Sequence, residues 1–178
     1  MESIELQSLL KAGRRGPLWR PNGTSQRVDM GRGVIERILP HRDPFLFVDE
    51  ITDIDLTENC IRGRRRIAKD DAGFVGHFPG EPVYPGVLQL EMMGQLSLCL
   101  LHFNAARSTR VPEGVAPRRV RALRIHDGVF VAAVRPGDEL TVIARLIAGD
   151  DYTAVCAGQL VRGDTACALA ITEVYFVH

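Results

Sequence analysis

Residues 85–103 read PGVLQLEMMGQLSLCLLHF, and this stretch decides the fold. The Pro85-Gly86 pair suits a helix start. Apolar residues then fall at Val87, Leu88, Leu90, Met92, Met93, Leu96, Leu98, Cys99, Leu100, Leu101 and Phe103, in every direction around a helical wheel. A helix that is apolar all round is predicted to be buried, not laid on a surface. Gln89, Glu91, Gln95 and His102 interrupt the run, so it falls short of the roughly 20 apolar residues of a membrane span.

Downstream, Val120–Ile125, Val129–Val134, Leu140–Ala148, Tyr152–Val161 and Cys167–Val177 are rich in valine, isoleucine and alanine. His126-Asp127-Gly128, Arg135-Pro136-Gly137-Asp138, Gly149-Asp150-Asp151 and Arg162-Gly163-Asp164 punctuate them. Turn residues at such short intervals predict an antiparallel meander. Upstream, Phe45–Asp53 and Cys60–Ile67 are two more strand candidates. One buried helix beside a large antiparallel sheet gives an α+β chain in which the sheet must curl around the helix to cover it.

The chain has 178 residues, 46% hydrophobic and 25% charged, with 22 basic and 22 acidic side chains. That composition suits one soluble domain with a sizeable core. A net charge of zero lacks the basic footprint of a nucleic-acid binder. The opening MESIELQSLL carries acids where a secretory signal carries bases, so the expected location is cytoplasmic. Cys60, Cys99, Cys156 and Cys167 form no C-x-x-C pair and read as reduced core residues. The histidines show no metal-ligand spacing, and nothing in the sequence requires a metal or other cofactor.

Residues 1–30 read as an N-terminal extension and 31–178 as the domain proper. Ile4, Leu6, Leu9 and Leu10 predict a short amphipathic helix, followed by a Gly/Pro-rich polar stretch that either packs through Trp19 or moves.

Three residues carry the candidate chemistry. Glu91 lies inside the apolar helix with no basic residue three or four places away. A carboxyl withdrawn from water without a cation has its pKa raised and stays protonated, as a general acid requires, unless that helix end faces solvent or a distant arginine pairs with it. His77 lies in GFVGHFPGEPVYPG, residues 73–86, a loop stiffened by glycines and prolines. Imidazole is the side chain best matched to proton transfer near neutrality. The Gly86 N–H, at the helix N-terminus, is a donor for an oxygen gaining negative charge. Base, acid and oxyanion donor together describe removal of a proton beside a carbonyl with loss of a neighbouring hydroxyl.

GHFPGEPVYPGVLQLEMMGQ, residues 76–95, resembles the signature of the hot-dog-fold (3R)-3-hydroxyacyl-[acyl-carrier-protein] dehydratases of the FabZ type. LPHRDPFLFVDEI at 39–51 and PGDEL at 136–140 resemble two further segments of that family, and the likeness runs over roughly residues 33–178. It implies a hot-dog fold, with His77 taking the C2 proton and Glu91 protonating the departing hydroxyl. Gly86 then contacts the thioester carbonyl, and Gln95 and Phe78 support the site. The acyl chain is expected on the phosphopantetheine arm of acyl carrier protein, without excluding coenzyme A. The resemblance also implies a homodimer whose sites combine histidine from one subunit with acid from the other, alone or as a trimer of dimers. Asp43 departs from the aromatic usual there, and the basic-then-proline run before the PGD turn is missing.

Leu88, Met92 and Leu96, four apart, are a candidate apolar wall for the acyl chain, with Tyr84 at the mouth; core packing is the alternative for each. Arg64, Arg65 and Arg66 are candidates to dock an acidic carrier, the alternative being solvated strand edges. Two other functions stay open: a hot-dog thioesterase, and a non-catalytic acyl-thioester-binding protein.

Overall fold

The computed structural model describes residues 3–177, with side chains from residue 5 onward; the expected apolar contribution of Ile4 lies outside the described side chains. The elements run α1 (Ser3–Gly13), β1 (Gln26–Gly31), α2 (Arg32–Ile38), β2 (Glu50–Asp55), β3 (Cys60–Arg66), a 3-10 turn (Ala72–Phe74), α3 (Gly86–Ala106), β4 (Val120–Phe130), β5 (Glu139–Gly149), β6 (Thr153–Arg162) and β7 (Thr165–Phe176). All pairings are antiparallel in one seven-stranded sheet of order β1-β2-β3-β5-β6-β7-β4. The sheet packs against α3 through β3, β5, β6 and β7, which is the hot-dog arrangement. No described helix is long and apolar enough to cross a membrane.

Helix and sheet approach closely where glycine removes a side chain. A Cβ at Gly158 on β6 would lie 2.5 Å from Met93 Cβ of the helix. Met92, Met93, Leu96, Cys99, Leu100 and Phe103 are all buried against Ile51, Ile61, Val142, Leu160 and their neighbours. Such interdigitation is close-packed, so changes of even one methylene are felt. All four cysteines are buried and unbonded.

The sequence predicts a helix buried all round, and the structure corrects this. Val87, Leu90, Glu91, Gly94 and Leu98, spaced three and four apart, form a less buried stripe, and Val87 is 71% exposed. Among the described residues nothing lies within 4 Å of a Cβ built at Gly94. The sheet therefore covers most of the helix and leaves one face open.

Three strand expectations are corrected. Val120–Ile125 and the start of the next run are one strand, β4, because His126-Asp127-Gly128 is absorbed as a bulge rather than a turn. Residues 131–134 are irregular, with the Val131 and Ala132 N–H groups both donating to the Cys167 carbonyl. In the third, Phe45–Asp53 is a strand only from Glu50, since residues 45–48 are tied down by a helix side chain described below. The short elements β1 and α2 carry no strong periodicity, and the sequence reading does not foresee them.

Residues 5–25 lie on the sheet's other face. Leu10 packs with Ala157, Ala166, Leu169 and Ile171. Trp19 is buried beside Cys60, Ile143 and Val161, and its Nε1 donates to Glu58 at 2.8 Å. Gln159, fully buried on β6, accepts from Leu18 N at 2.7 Å and donates to the carbonyls of Gly13 at 2.7 Å and Gly16 at 3.0 Å. The packed alternative for Trp19 is the one observed.

Candidate active site

The loop between β3 and α3 holds His77. Gly76 and Gly80 adopt φ of +79° and +82°, which non-glycine residues resist. His77 Nδ1 lies 2.8 Å from the Val83 carbonyl. A carbonyl only accepts, so Nδ1 carries a hydrogen, and in the neutral ring Nε2 is the nitrogen with the lone pair. Phe78, 56% exposed, stacks on the imidazole with centroids 4.1 Å apart.

His77 lines a cavity of about 330 Å³ together with Val83, Gly86, Gln89, Phe130 and Ala132. A side chain at Gly86 would meet the tip of the Phe130 ring at 2.7 Å, so it would fit only if that exposed ring moved. Gly86 begins α3, and its N–H has no acceptor among the described residues. Helix dipole and free N–H together make this point attractive to negative charge. Gln89 is buried and donates to the Tyr84 carbonyl at 3.0 Å, and its Oε1 has no partner among the described residues.

Glu91 opens on a different cavity, about 470 Å³, lined by His41, Val87, Leu90, Gly94, Leu98 and the start of β4. In one chain neither cavity holds both His77 and Glu91. Gln95, one turn on, donates from Nε2 to Glu91 Oε1 at 2.9 Å and to the Phe45 carbonyl at 3.0 Å, while its Oε1 accepts the Phe47 N–H at 2.8 Å. His41 Nε2 lies 3.3 Å from Glu91 Oε1.

The expectation for Glu91 is corrected here. The His41 imidazole directed at it, and next the Gln95 amide, hold the carboxyl below the usual carboxylate range against the opposing effect of burial. The sequence reading looks for a cation within one helical turn; the partner comes instead from a loop fifty positions away.

The proposed acyl wall is also redirected. Met92 and Leu96 are fully buried in the core, Leu88 packs toward it, and none of the three lines either cavity. Tyr84 is 1% exposed, edge-on to Phe74 at 5.5 Å, with its hydroxyl pushed up to about 12, mainly by burial. It fills the core beneath the loop and does not form a mouth, although it borders the His77 cavity. Val87, Leu90 and Leu98 provide the apolar surface beside Glu91.

The three arginines divide. Arg65 is 9% exposed and binds Asp49 at 2.9 Å and Asp71 at 3.1 Å, so it is a structural cation and not free to dock anything. Arg64 is exposed with a loose contact to Glu50 at 3.7 Å, and Arg66 is exposed. Asp43, the departure noted in the sequence, accepts Arg32 Nη1 with both oxygens at 2.6 and 2.8 Å, which fastens the His41 loop to α2.

A sheet wrapped on one helix defines the hot-dog fold, and here it carries an imidazole and a helix N-terminus in one cavity and a carboxyl in the next. A model of the FabA-like domain matches residues 39–171, and the chain belongs to that family. It is 41% identical over 106 residues to the 3-hydroxyacyl-[acyl-carrier-protein] dehydratase FabZ of Aliarcobacter butzleri, covering 60% of this chain and 69% of that one. With the Chlamydia abortus protein of the same name it shares 35% over 142 residues, covering 76% and 88%. Among solved structures, a chain of the dehydratase heterocomplex ApeI:P from Xenorhabdus doucetiae superposes with a TM-score of 0.61 at 18% identity, covering 81% and 91%, a likeness of fold.

Proposed function

We propose that this protein is a hydro-lyase that removes water from a (3R)-3-hydroxyacyl thioester on acyl carrier protein, giving the trans-2-enoyl thioester in fatty-acid or related acyl-chain synthesis in the cytoplasm. Its relatives named as 3-hydroxyacyl-[acyl-carrier-protein] dehydratases support the substrate class. The observation that carries the reading is the 2.8 Å contact from His77 Nδ1 to the Val83 carbonyl, which assigns the role of base to Nε2 in the cavity shared with Gly86.

His77 Nε2 takes the C2 proton. Negative charge then builds on the thioester oxygen, which the free Gly86 N–H and the helix dipole stabilise. Glu91 gives a proton to the C3 hydroxyl as the C3–O bond breaks with its electron pair, and water leaves. His77 ends with one proton more and Glu91 with one fewer, and both exchange with solvent before the next turnover.

Because His77 and Glu91 line separate cavities in one chain, this chemistry needs two copies, His77 of one working with Glu91 of the other. The half-buried stripe on α3, exposed at Val87, and the exposed Leu123, Ile125, Phe130 and Val131 on and just after the edge strand β4 support such pairing, since exposed apolar surface of this kind marks interaction sites. The pairing is a homodimer, alone or as a trimer of dimers. Arg64 and Arg66 remain candidates for the acidic carrier.

Incubation with 3-hydroxyacyl thioesters of acyl carrier protein and of coenzyme A tests the reading. Enoyl absorbance should grow without release of free thiol. Thiol release, or no change with any chain length on either carrier, overturns it.

A further inference from the structure

We propose that His41 is a positioning residue for Glu91 that also stores the proton Glu91 delivers, so that the two side chains act as one acid. The proposal rests on the dehydratase reading and adds to it a residue that the sequence reading does not assign.

The geometry begins with the loop. Arg42 Nη1 donates to the carbonyls of Leu39 at 2.9 Å and His41 at 2.7 Å, and Arg32 holds Asp43 two residues on. His41 is thereby fixed with Nε2 at 3.3 Å from Glu91 Oε1, while Gln95 holds the same oxygen from the helix side at 2.9 Å. Other charged groups border this cavity: Arg118, Arg121 and Arg124 from the β4 side and Glu173 from β7. Glu173 is already engaged by His126 Nε2 at 2.8 Å, and Arg118 lies over the Phe176 ring at 3.8 Å. His41 is the titratable group in direct reach of the carboxyl.

A problem in the chemistry then finds its answer. Glu91 must donate a proton, yet the His41 and Gln95 contacts hold its carboxyl below the ordinary range, which favours the charged form. Imidazole ordinarily keeps its proton to about pH 6.5. Two groups in contact titrate as a pair, so the pair retains one proton over a range in which a lone carboxyl has lost it. His41 Nδ1 is buried without a hydrogen-bond partner among the described residues. An imidazolium there buries an unpaired N–H, which keeps the shared proton from being locked on the ring and leaves it available through Glu91. When the C3–O bond breaks, the oxygen takes that proton, water leaves, and imidazole plus carboxylate regain one proton from solvent.

His41→Gln keeps an N–H donor near Glu91 and removes the titrating ring. Its kcat for dehydration should fall about tenfold at pH 6 and about a hundredfold at pH 8, with KM within about twofold. A loss equal at both pH values, or one carried by KM, overturns the proposal, because a merely structural contact has no reason to depend on pH. The unaltered protein gives a second test, independent of the variant's folding. The side-chain carboxyl ¹³C resonance of Glu91 should move in two steps between pH 3 and 9, as for a coupled pair; a single step overturns the pairing. Failure of the unaltered protein to make any enoyl thioester defeats the dehydratase reading instead, and the ¹³C titration still decides whether the two groups are coupled.

Discussion

His77 and Val83 hold each other twice: the Val83 N–H donates to the His77 carbonyl at 3.1 Å, and the His77 ring donates back to the Val83 carbonyl at 2.8 Å. The five-residue excursion between them, residues 78–82, is thus closed at backbone and side chain together. The ring has one orientation and one tautomer before any substrate arrives, which avoids reorganisation during reaction. His77→Ala should lower kcat at pH 7 by about 10²–10⁴ while leaving the thermal transition within a few degrees. Stopped-flow enoyl absorbance and calorimetry on the same preparation check both halves.

Glu91→Gln is nearly isosteric and removes the titrating group. It should be as inactive as His77→Ala, yet mixing the two inactive proteins after dissociation should restore about a quarter of native activity, since half the random dimers are mixed and each carries one intact site. No recovery in the mixture would exclude sites built from two copies.

Gln95 uses its amide three ways, toward Phe47, Phe45 and Glu91. Gln95→Leu leaves the buried Phe47 N–H without an acceptor and frees Glu91. Stability should drop by about 2–4 kcal/mol, or roughly 5–15 °C in Tm, and kcat should fall as well. Urea titration gives the first and initial rates the second.

Arg65 and Arg66 should part company under substitution. Arg65→Ala strips Asp71 and one side of Asp49 of a buried cation, an expected loss of about 3–5 kcal/mol. Arg66→Glu should leave stability within about 0.5 kcal/mol. If that surface receives the carrier, Arg66→Glu raises KM for the carrier-bound substrate and not for the coenzyme A thioester.

Asp55 sets an acid limit. Burial alone raises its carboxyl, but the Thr24 hydroxyl and the N–H groups of Glu58 and Thr57 more than offset this and hold it below the usual range. A depressed folded value means its contribution is complete above the unfolded value of about 3.9 and is lost as pH falls through the folded one. Asp55→Asn should therefore lower stability at pH 7 and shrink the difference between pH 7 and pH 3, read from urea midpoints.

Much of this was legible in the residues. The run of apolar positions in α3 and the turn residues between strands are local signals, and they located the helix and most of the sheet. The His126-Asp127-Gly128 triplet misled because a bulge and a turn use the same residue types. Arg65 was separable from its neighbours in principle: successive strand residues point to opposite faces, so Arg65 had to face the other way from Arg64 and Arg66. The wheel of α3 likewise contained the stripe at 87, 90, 91, 94 and 98, but nothing local says which face the sheet leaves open. His41 was within the quoted LPHR segment, and its approach to Glu91 is a long-range contact that no spacing encodes.

Gln159 gives the amino-terminal segment a hold on the rest of the molecule that sequence comparison alone would overlook. Among the described residues, its carboxamide hydrogen-bonds to the main chain of Gly13, Gly16 and Leu18 and to nothing else. Cutting away that segment would strand a polar group among leucines and uncover a greasy back wall, so a shortened version should clump unless Gln159, Leu169 and Ile171 are redesigned with it. Segment and sheet fit as one piece: neither can be trimmed, swapped or grafted onto a cousin without editing the other.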